Sequence, residues 1–553
     1  MRNDRRWRRP PSVASSWVGV RRKPLLAILL YLICLTAVSL RWYDLGAVTV
    51  YGVLALGVLG AKMALSMLNR THSSATLVTT GRDYGQAGAI ITLYNEDPGY
   101  FRKCLESLLT QDYPLAQIIV VDDASTDTRA LDIAYRYERE RDNVIVVVHD
   151  HNQGKRHAMA TGAGYLHPDI KAIVAVDSDT VAQPDAVRNS LRRFMDPEIQ
   201  AITAVVLAEN YETNILTRII DVRYVNAFLT ERAAYSTLGS VLCVCGSFAL
   251  YRKSTFDRIL DEFLHQRFMG SMAIAGDDRH LTNLCLRYGR VELAEDCVAQ
   301  TVVPEKLTHY LRQQARWGRS FFRESLFGIK DLSAHSMAWW LIIIEIVQWI
   351  LMTGLLISIV IRSLSAGTFQ IGVYLMLVVV MAVAHSVRFF DIARQRQSTR
   401  STIHSFALSP VYGLMTIAIM SFARVWSLLT VNSTAWGTRK KVEVGDGESP
   451  PMSIPLPNVA LAAPAHDSAT ETIAVTGVIT GSITTTPDEP SEPRHSPVFS
   501  WFRRSSKPKH ALLPYSRDVI KRRPPSKPKR AITAKRHNAA TIADPVEAWD
   551  LAA

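Results

Sequence analysis

The chain has 553 residues, of which 48% are hydrophobic and 20% are charged, and its formal net charge at pH 7 is +13. The length leaves room for two or three domains. Because the mean hydropathy is only +0.06 while a fifth of the residues are charged, the apolar residues must be concentrated in blocks, and an evenly mixed composition is excluded. The six cysteines form no CxxC pair, which excludes the usual zinc motifs.

Two apolar blocks follow a basic N-terminus. The chain opens MRNDRRWRRP, and the blocks cover 25–41 and 47–68. Each is close to the ~20 residues that cross a hydrocarbon core. No cleavage site leads into a polar mature sequence, so we interpret this region as an uncleaved anchor. Clustered arginines favour the cytoplasmic side, and two spans would return the chain to the cytoplasm near Arg70.

Residues 86 to 299 alternate between short apolar runs and amphipathic stretches. Strands are predicted at 87–96, 117–125, 143–150 and 172–180, and helices at 101–111 and 128–140. This alternation predicts an α/β domain with a mostly parallel sheet and helices on both faces. Ligands bind at the carboxyl ends of such strands. Neither GxGxxG nor a Walker-type loop occurs, so dinucleotide and ATP sites lack their main support.

The stretch VDSDT places two carboxylates, Asp177 and Asp179, at the end of a predicted strand. Together with diphosphate oxygens they can complete the shell of Mg²⁺ or Mn²⁺. The cation would then offset charge on a departing diphosphate. A solvated loop or a helix cap is the competing explanation for DxD.

Two further clusters are suited to a nucleotide. In VVDDAS, Asp122 or Asp123 can accept a hydrogen bond from a uracil N–H or a ribose hydroxyl, and Tyr94 can stack on the base. A turn would favour the same residue types. Lys155 and Arg156 follow a glycine at a predicted helix start, where cations and free N–H groups suit a phosphate; a plain surface loop is the alternative.

The stretch AIAGDDRHLT provides a third acidic site. An acceptor hydroxyl that attacks a sugar needs a general base, and Asp277 or Asp278 can act as one. The alternative is a helix cap, because the following residues have a helical pattern.

The stretch THYLRQQARWGRSFFRE, 308–324, lies before another apolar block. Gln313, Arg316 and Trp317 offer an amide, a guanidinium group and an aromatic face together, which is more typical of a binding surface than of a membrane anchor. Residues 318–330 are suited to an interfacial helix. Apolar blocks follow at 338–361, 367–387 and, more weakly, 406–430, where a re-entrant path fits the basic residues after it better than a full crossing.

The order YNE, VDD, GKR, DSD, GDD and QxxRW resembles the processive, inverting family-2 glycosyltransferases with a GT-A fold. The stretches GKRHA, VDSDT, GDDRHLTN, YLRQQARW, SFFRES and WGTRKK resemble the bacterial class I hyaluronan synthases most closely, followed by the nodulation-factor chitin oligosaccharide synthases. The likeness runs from about residue 51 to residue 441. It implies a membrane synthase that takes UDP-sugar donors and extends a polysaccharide acceptor.

The resemblance also implies residue roles. Tyr94, Glu96 and Asp123 would hold the uridine, and Lys155 and Arg156 would lie near the diphosphate. Asp179, with Asp177, would bind Mg²⁺ or Mn²⁺, and Asp278 would be the general base. Gln313, Arg316 and Trp317 would bind the acceptor and the diphosphate, with Trp317 stacking on the terminal sugar. A gating loop would contain Trp436 and Arg439. One departure is Ser247 in CVCGSFALYR, where the family usually has proline, and it puts the acceptor preference in doubt.

The expected architecture is an α/β GT-A-like cytosolic domain inserted between transmembrane helices in a multi-pass protein of the cell membrane. Its segments are a basic N-terminus 1–24, two transmembrane helices in 25–68, the catalytic domain 86–317, an interfacial helix 318–335, transmembrane helices 337–362 and 366–388, a re-entrant or transmembrane segment 403–430, the gating loop 434–442 and a disordered basic tail 445–553.

Three alternatives to a hyaluronan synthase stay open. They are a chitin-type N-acetylglucosaminyltransferase, a non-processive transferase acting on a polyprenyl phosphate, and a transporter or channel component. The tail could touch anionic lipid, whereas nucleic-acid binding is not expected because no aromatic residues or folded module accompany its charge. The sequence does not determine the oligomeric state, the linkage or the product length.

Overall fold

The computed structural model describes residues 18–23, 26, 46–69, 85–273, 275–366, 369–394 and 397–432. The predicted gating loop, the basic tail, the first apolar block except one residue, and most of the basic N-terminus lie outside these residues.

The described chain forms twelve strands and fifteen α-helices. The strands are β1 Val18–Val20, β2 Gln86–Leu93, β3 Gln117–Asp122, β4 Val144–Val148, β5 Ile170–Asp177, β6 Thr180–Ala182, β7 Ile199–Ala208, β8 Phe248–Arg252, β9 Arg267–Phe268, β10 Ser271–Met272, β11 Arg290–Thr301 and β12 Ile392–Arg394. The helices are α1 Gly46–Leu68, α2 Pro98–Leu109, α3 Arg129–Glu140, α4 Lys155–Tyr165, α5 Ala186–Arg193, α6 Ile215–Val225, α7 Ala233–Thr237, α8 Lys253–Leu264, α9 Asp277–Leu286, α10 Leu307–Asp331, α11 Met337–Ala366, α12 Phe369–His385, α13 Thr399–Ala407, α14 Ser409–Met415 and α15 Ser421–Leu429. Two π-helical segments, Asn226–Arg232 and Thr416–Met420, and a 3₁₀ segment, Val387–Asp391, connect neighbouring elements.

Eight strands form one sheet in the order β4-β3-β2-β5-β8-β7-β11-β6. Strands β4, β3, β2 and β5 are mutually parallel, and β7 is parallel to β11. The prediction of a mostly parallel sheet therefore needs a correction, because β8 runs antiparallel to both β5 and β7, and β6 runs antiparallel to β11. The chain between β7 and β8 stays at the edge of the sheet where β7 ends. Strand β8 therefore begins at that edge and runs antiparallel to β7.

Helices cover both faces of the sheet, as the sequence predicts. One core contains Phe101 and Leu105 of α2 with side chains of α3 and α5. The other contains Met159 of α4, Phe256 of α8 and Leu281 of α9. Because both faces are covered, the strands are mainly apolar, and polar side chains concentrate at the strand ends, although β11 contains the buried Glu295.

The helices after the sheet pack against the domain that contains it. Helix α10 is a single 25-residue helix that contains both the QxxRW motif and the predicted interfacial segment. Among the described residues, the run Thr399–Leu429 is the one helix long and apolar enough to cross a membrane. Pro410 does not break this run because it lies in the first turn of α14, where its missing N–H costs no hydrogen bond.

Candidate active site

A cavity of about 960 Å³ lies at the carboxyl edge of the sheet. It is lined by eleven of the predicted site residues: Tyr94, Glu96, Asp123, Lys155, Asp177, Asp179, Asp277, Asp278, Gln313, Arg316 and Trp317. The shared direction of five strands explains this clustering, since β2, β3, β5, β7 and β11 all end at this edge. The cavity continues between the helices, where Lys62, Glu345 and Arg424 line it.

Asp177 and Asp179 flank the sharp turn between β5 and β6. Asp177 Oδ1 accepts a hydrogen bond from Lys155 Nζ at 2.7 Å, and Asp179 Oδ1 accepts one from the Thr301 hydroxyl at 3.1 Å. Burial, with the nearby carboxylates Asp177 and Glu96, raises the pKa of Asp179 to about 7. A divalent cation would favour the ionised form that burial disfavours.

These two carboxylates fit a metal only in part. Among the residues that the structure describes, no group of three or more histidine, cysteine, aspartate or glutamate side chains could hold a metal ion by itself. Mg²⁺ and Mn²⁺ take oxygen ligands, and Mg²⁺ usually completes its shell with substrate phosphates and water. The donor set therefore suits a cation that arrives with a nucleotide diphosphate.

Asp278 occupies the first turn of α9 and faces the same lysine. Its Oδ1 lies 3.9 Å from Lys155 Nζ, and its Oδ2 accepts a hydrogen bond from the Gly246 N–H at 3.1 Å. Burial raises the pKa of Asp278, although the charge of Lys155 opposes this. Burial by itself lowers the pKa of Lys155, but Asp177 and Asp278 raise it above its ordinary value. The lysine therefore stays charged between two carboxylates.

Tyr94 and Glu96 follow β2 in a constrained turn. Asn95 between them has a positive φ of 47°, and its side-chain oxygen accepts hydrogen bonds from the N–H groups of Thr126 and Asp127. The turn after β2 is thus fixed to the loop after β3. Glu96 also accepts a hydrogen bond from the Ser178 hydroxyl at 2.8 Å, which connects this turn to the DSD segment.

The two carboxylates of VDD have different environments. Asp123 accepts hydrogen bonds from His149 Nδ1 and from the N–H groups of Gln153 and Gly154, and it lines the cavity. Asp122 is buried beneath the cavity lining, where Oδ2 caps the Ser125 N–H. Burial raises the pKa of Asp122. Asp123 is consequently the member of this pair that a nucleotide could reach.

Arg156 points into the domain and does not line the cavity. Its Nε donates to Asp277 Oδ1, its Nη1 donates to the Phe263 carbonyl, and its Nη2 donates to Gln266 Oε1. The two neighbouring residues at the start of α4 therefore differ: Lys155 faces the cavity, and Arg156 is bonded to the first turn of α9 from inside the domain.

The QxxRW residues of α10 form the wall opposite the sheet. The Trp317 side chain is 38% exposed, and its ring contacts Tyr224 with centroids 6.5 Å apart. The Arg223 guanidinium lies 5.5 Å from the centroid of the same ring. Gln313 Oε1 is buried and accepts no hydrogen bond from a described residue, so it can accept one from a ligand.

Sequence reasoning missed Thr301 and Gly246, and it singled out Ser247, in the segment before β8, only as a departure from the family pattern. Thr301 ends β11 beside Asp179, and the rule that polar residues at strand ends form the site would have identified it. Gly246 and Ser247 reach the site because β8 is antiparallel and starts at this edge; the Ser247 carbonyl accepts the Asp177 N–H at 3.3 Å. The alternation of apolar and amphipathic stretches in the sequence does not predict that β8 is antiparallel. Trp436 and Arg439 lie outside the described residues.

Residues 89–260 match the model of Glycosyl transferase family 2. A hyaluronan synthase from Streptococcus pyogenes is 33% identical over 425 residues, which cover 76% of this chain and 96% of that protein. An N-acetylglucosaminyltransferase from Azorhizobium caulinodans is 33% identical over 357 residues, which cover 64% of this chain and 86% of that protein. A similarly named enzyme of Rhizobium meliloti is 37% identical over 249 residues, which cover 45% of this chain and 58% of that protein.

Among solved structures, a mannosyltransferase from Pyrobaculum calidifontis in complex with GDP-Man and Mn²⁺ aligns with a TM-score of 0.39 and 17% identity, covering 66% of this chain and 99% of that one.

Proposed function

This chain belongs to the family of glycosyl transferases that contains the streptococcal hyaluronan synthases, and on that premise we propose that it polymerises hyaluronan from UDP-GlcNAc and UDP-GlcA and extrudes the product. That it is a UDP-sugar glycosyltransferase follows from the family. Processive synthesis is supported above all by the single cavity, which joins the donor-side residues Tyr94 and Asp179 to Glu345 and Arg424 among the helices. A growing chain could leave the site along it.

In this proposal Tyr94, Glu96 and Asp123 hold the uridine, and Lys155 lies beside the diphosphate. The acceptor sugar stacks on Trp317, with Gln313 and Arg316 bonding its hydroxyls and the diphosphate. Asp278 takes the proton of the acceptor hydroxyl as that oxygen attacks the anomeric carbon. Attack from the face opposite the departing diphosphate inverts the configuration.

Asp177 and Asp179 would hold Mg²⁺ or Mn²⁺ together with the diphosphate. The cation would supply positive charge to the leaving group. Lys155 contributes a second, permanent positive charge at the same place, because Asp177 and Asp278 keep it protonated. The lysine also holds Asp177 in position through its 2.7 Å hydrogen bond.

Two arginines favour an anionic product over chitin. Arg223 and Arg424 both line the cavity, and Arg223 Nη1 is buried without donating to any described residue. Glu345, by contrast, already faces Arg279 at 3.4 Å. Glu231 lines the same cavity and is the carboxylate whose charge acts on both arginines. A uronate carboxylate would add a second counter-charge for the two buried cations, whereas a neutral N-acetylglucosamine chain would not.

We also propose that the protein is embedded in the cell membrane by several helices, with the catalytic domain in the cytoplasm. Support comes from the apolar run Thr399–Leu429, from the apolar sequences of α1, α11 and α12, and from the basic N-terminus. Membrane lipid would then surround the helices that continue the cavity.

The test uses membranes containing the full chain with Mg²⁺ or Mn²⁺, supplied with UDP-GlcNAc, UDP-GlcA or both, while UDP release and polymer size are followed. Long polymer that needs both donors and is degraded by hyaluronidase is expected. Product made from UDP-GlcNAc alone and degraded by chitinase would replace hyaluronan with the chitin-type alternative. A short, lipid-extractable product would indicate transfer onto a polyprenyl phosphate.

A further inference from the structure

Behind the active site, a chain of buried polar groups connects helices α4, α9 and α10. Arg156 Nη2 donates to Gln266 Oε1 at 2.8 Å, and Gln266 Nε2 donates to Glu324 Oε1 at 2.7 Å. Glu324 Oε2 lies 3.0 Å from His280 Nδ1. Together with the hydrogen bond from Arg156 to Asp277, these contacts form one continuous network. Glu324, at its far end, does not line the cavity.

The network is buried and balanced in charge, and Asp277 is the member that lines the cavity. Its cations are Arg156 and Arg323, and its anions are Asp277 and Glu324; all four are buried, and Glu324 is fully inaccessible. Arg323 Nε lies 3.5 Å from Glu324 Oε1. Removing one charge from such a set leaves another buried without compensation, which is strongly unfavourable.

The direction of each hydrogen bond is fixed as well. A carboxylate can only accept, so His280 must donate from Nδ1 and Gln266 must present its amide nitrogen to Glu324. His280 Nε2 is buried and has no partner among the described residues. A glutamine at position 324 can take two orientations, and both are unfavourable. If its amide oxygen accepts from His280 Nδ1, its amide nitrogen faces the amide nitrogen of Gln266. If its amide nitrogen faces His280 Nδ1 instead, the histidine must carry its proton on Nε2, where the N–H is buried and unpaired.

The same network connects the three groups that the proposed reaction needs. Arg156 follows Lys155, Asp277 precedes Asp278, and Glu324 lies seven residues, or about two helical turns, after Trp317 on α10. Close packing reinforces this connection. A Cβ at Gly276, where φ is +99°, would lie 2.5 Å from the Ser320 hydroxyl, so α9 and α10 touch at this point.

We propose that Glu324 is a positioning residue that fixes the acceptor helix α10 against the base-bearing helix α9 and so sets the distance between Trp317 and Asp278. This inference rests on the proposed function, because it takes Trp317 as the acceptor surface and Asp278 as the base. Glu324 touches neither substrate. Its effect falls on transfer to the acceptor sugar and spares the binding of the donor.

The experiment compares sugar transferred into polymer with UDP released by hydrolysis, in the full chain. In Glu324→Gln we expect transfer to fall about 100-fold, as for an acceptor displaced by about 1 Å, while the donor KM and the rate of donor hydrolysis stay as in the unsubstituted protein. Gln266→Glu should lower the ratio of transfer to hydrolysis too, because it sets two carboxylates against each other.

The double variant Glu324→Gln/Gln266→Glu tests whether restoring the hydrogen bonds of the network restores the ratio of transfer to hydrolysis. A glutamate at position 266 accepts from Arg156, the amide at position 324 donates to it, and His280 donates to the amide oxygen, so charge and hydrogen-bond direction are both restored. Recovery of the transfer ratio is expected. Phe256→Leu, in the same core but outside the network, is the matched control, and should lower the melting temperature without changing the ratio.

An unchanged ratio in folded Glu324→Gln, or no recovery in the double variant, would overturn the inference. If Glu324→Gln does not fold, Gln266→Leu cuts the same connection without removing a charge, and an unchanged ratio there would count equally against it. Failure of the unsubstituted chain to make polymer would instead reject the proposed function, so the two outcomes are distinguishable.

Discussion

At the scale of single residues, the site places one lysine among several carboxylates. Lys155 lies 2.7 Å from Asp177 and 3.9 Å from Asp278, so a single positive charge is shared by two carboxylates. Because the lysine side chain is flexible, the groups that contact its ammonium determine where it lies. Gly246 packs closely against both the ammonium of Lys155 and the carboxylate of Asp278.

Gly246→Ala should reduce catalysis without unfolding the protein. A Cβ at this position would lie 2.5 Å from Asp278 Oδ1 and 2.7 Å from Lys155 Nζ, so both groups must move. We expect kcat to fall about 100-fold, the effect of a displacement near 1 Å. The measurement is UDP release with both donors.

The control for Gly246→Ala is Gly164→Ala in α4, where a Cβ meets no atom within 4 Å. This control should keep full activity and gain about 0.5–1 kcal/mol of stability from the helix propensity of alanine. Equal activity of the two variants would contradict the assigned role of the Gly246 contact.

Metal binding should depend on pH through Asp179. Burial and the neighbouring carboxylates raise its pKa to about 7, so the protonated form dominates below pH 7 and competes with the cation. With UDP present, the apparent Kd for Mn²⁺ should rise about tenfold for each pH unit below 7 and level off above it. Titration by electron paramagnetic resonance measures this, with Asp179→Asn as the control that should keep only the weaker dependence caused by protonation of the UDP terminal phosphate, at about pH 6. A Kd constant between pH 5.5 and 8 would contradict the prediction.

At the scale of elements, α10 joins the catalytic domain to the helices that follow it. One end carries Gln313 and Trp317, the other contains Glu324, and its outer side packs against α15. The Ser427 hydroxyl donates to the Ala315 carbonyl at 3.0 Å, and Arg319 Nε donates to Thr430 at 3.1 Å. Close approach at Gly318 makes these contacts possible.

Gly318→Ala should separate α10 from α15. A Cβ there would lie 2.4 Å from the Ser427 hydroxyl, and overpacking of this kind costs about 1–3 kcal/mol. We expect a lower melting temperature in detergent and shorter polymer. Adding Ser427→Gly should recover part of both, while Gly354→Ala, where a Cβ meets nothing within 4 Å, should lower neither. A double variant no better than the single one would contradict this packing.

At the scale of the whole molecule, a buried ion cluster ties segments distant in the sequence to strand β11. Glu295 accepts hydrogen bonds from Arg388 Nη2 at 2.9 Å, Arg22 Nε at 3.0 Å and Asn69 Nδ2 at 2.9 Å. Strand β1 also pairs with β12. The N-terminal segment is therefore part of the fold at this point, and the strand that ends beside Asp179 is anchored by it.

Glu295→Gln should destabilise the whole protein. Glu295 and Arg388 have fully buried side chains, and breaking such a pair leaves an uncompensated charge at a cost of about 3 kcal/mol or more. A lower melting temperature and faster proteolysis near the N-terminus are expected. Glu198→Gln, at an exposed position, is the control and should behave like the unsubstituted protein. Equal stability of both variants would show that the cluster contributes little.

Much of this protein follows from its sequence alone. The apolar runs predict β2, β3, β4 and β5 to within a few residues, because a strand covered on both faces must be apolar throughout. The polar residues at their ends identify most of the cavity lining for the same reason. The family resemblance rests on short motifs and needs no coordinates.

The tertiary structure alone decides where those motifs point. Adjacent residues receive opposite roles: Lys155 faces the cavity while Arg156 is buried behind it, and Asp123 lines the site while Asp122 lies beneath. The direction of β8, which brings Gly246 to Asp278, and the network through Glu324 are also fixed only by packing. Sequence patterns record which residues are polar, whereas long-range contacts determine which polar atoms meet, because those contacts join positions separated by tens to hundreds of residues.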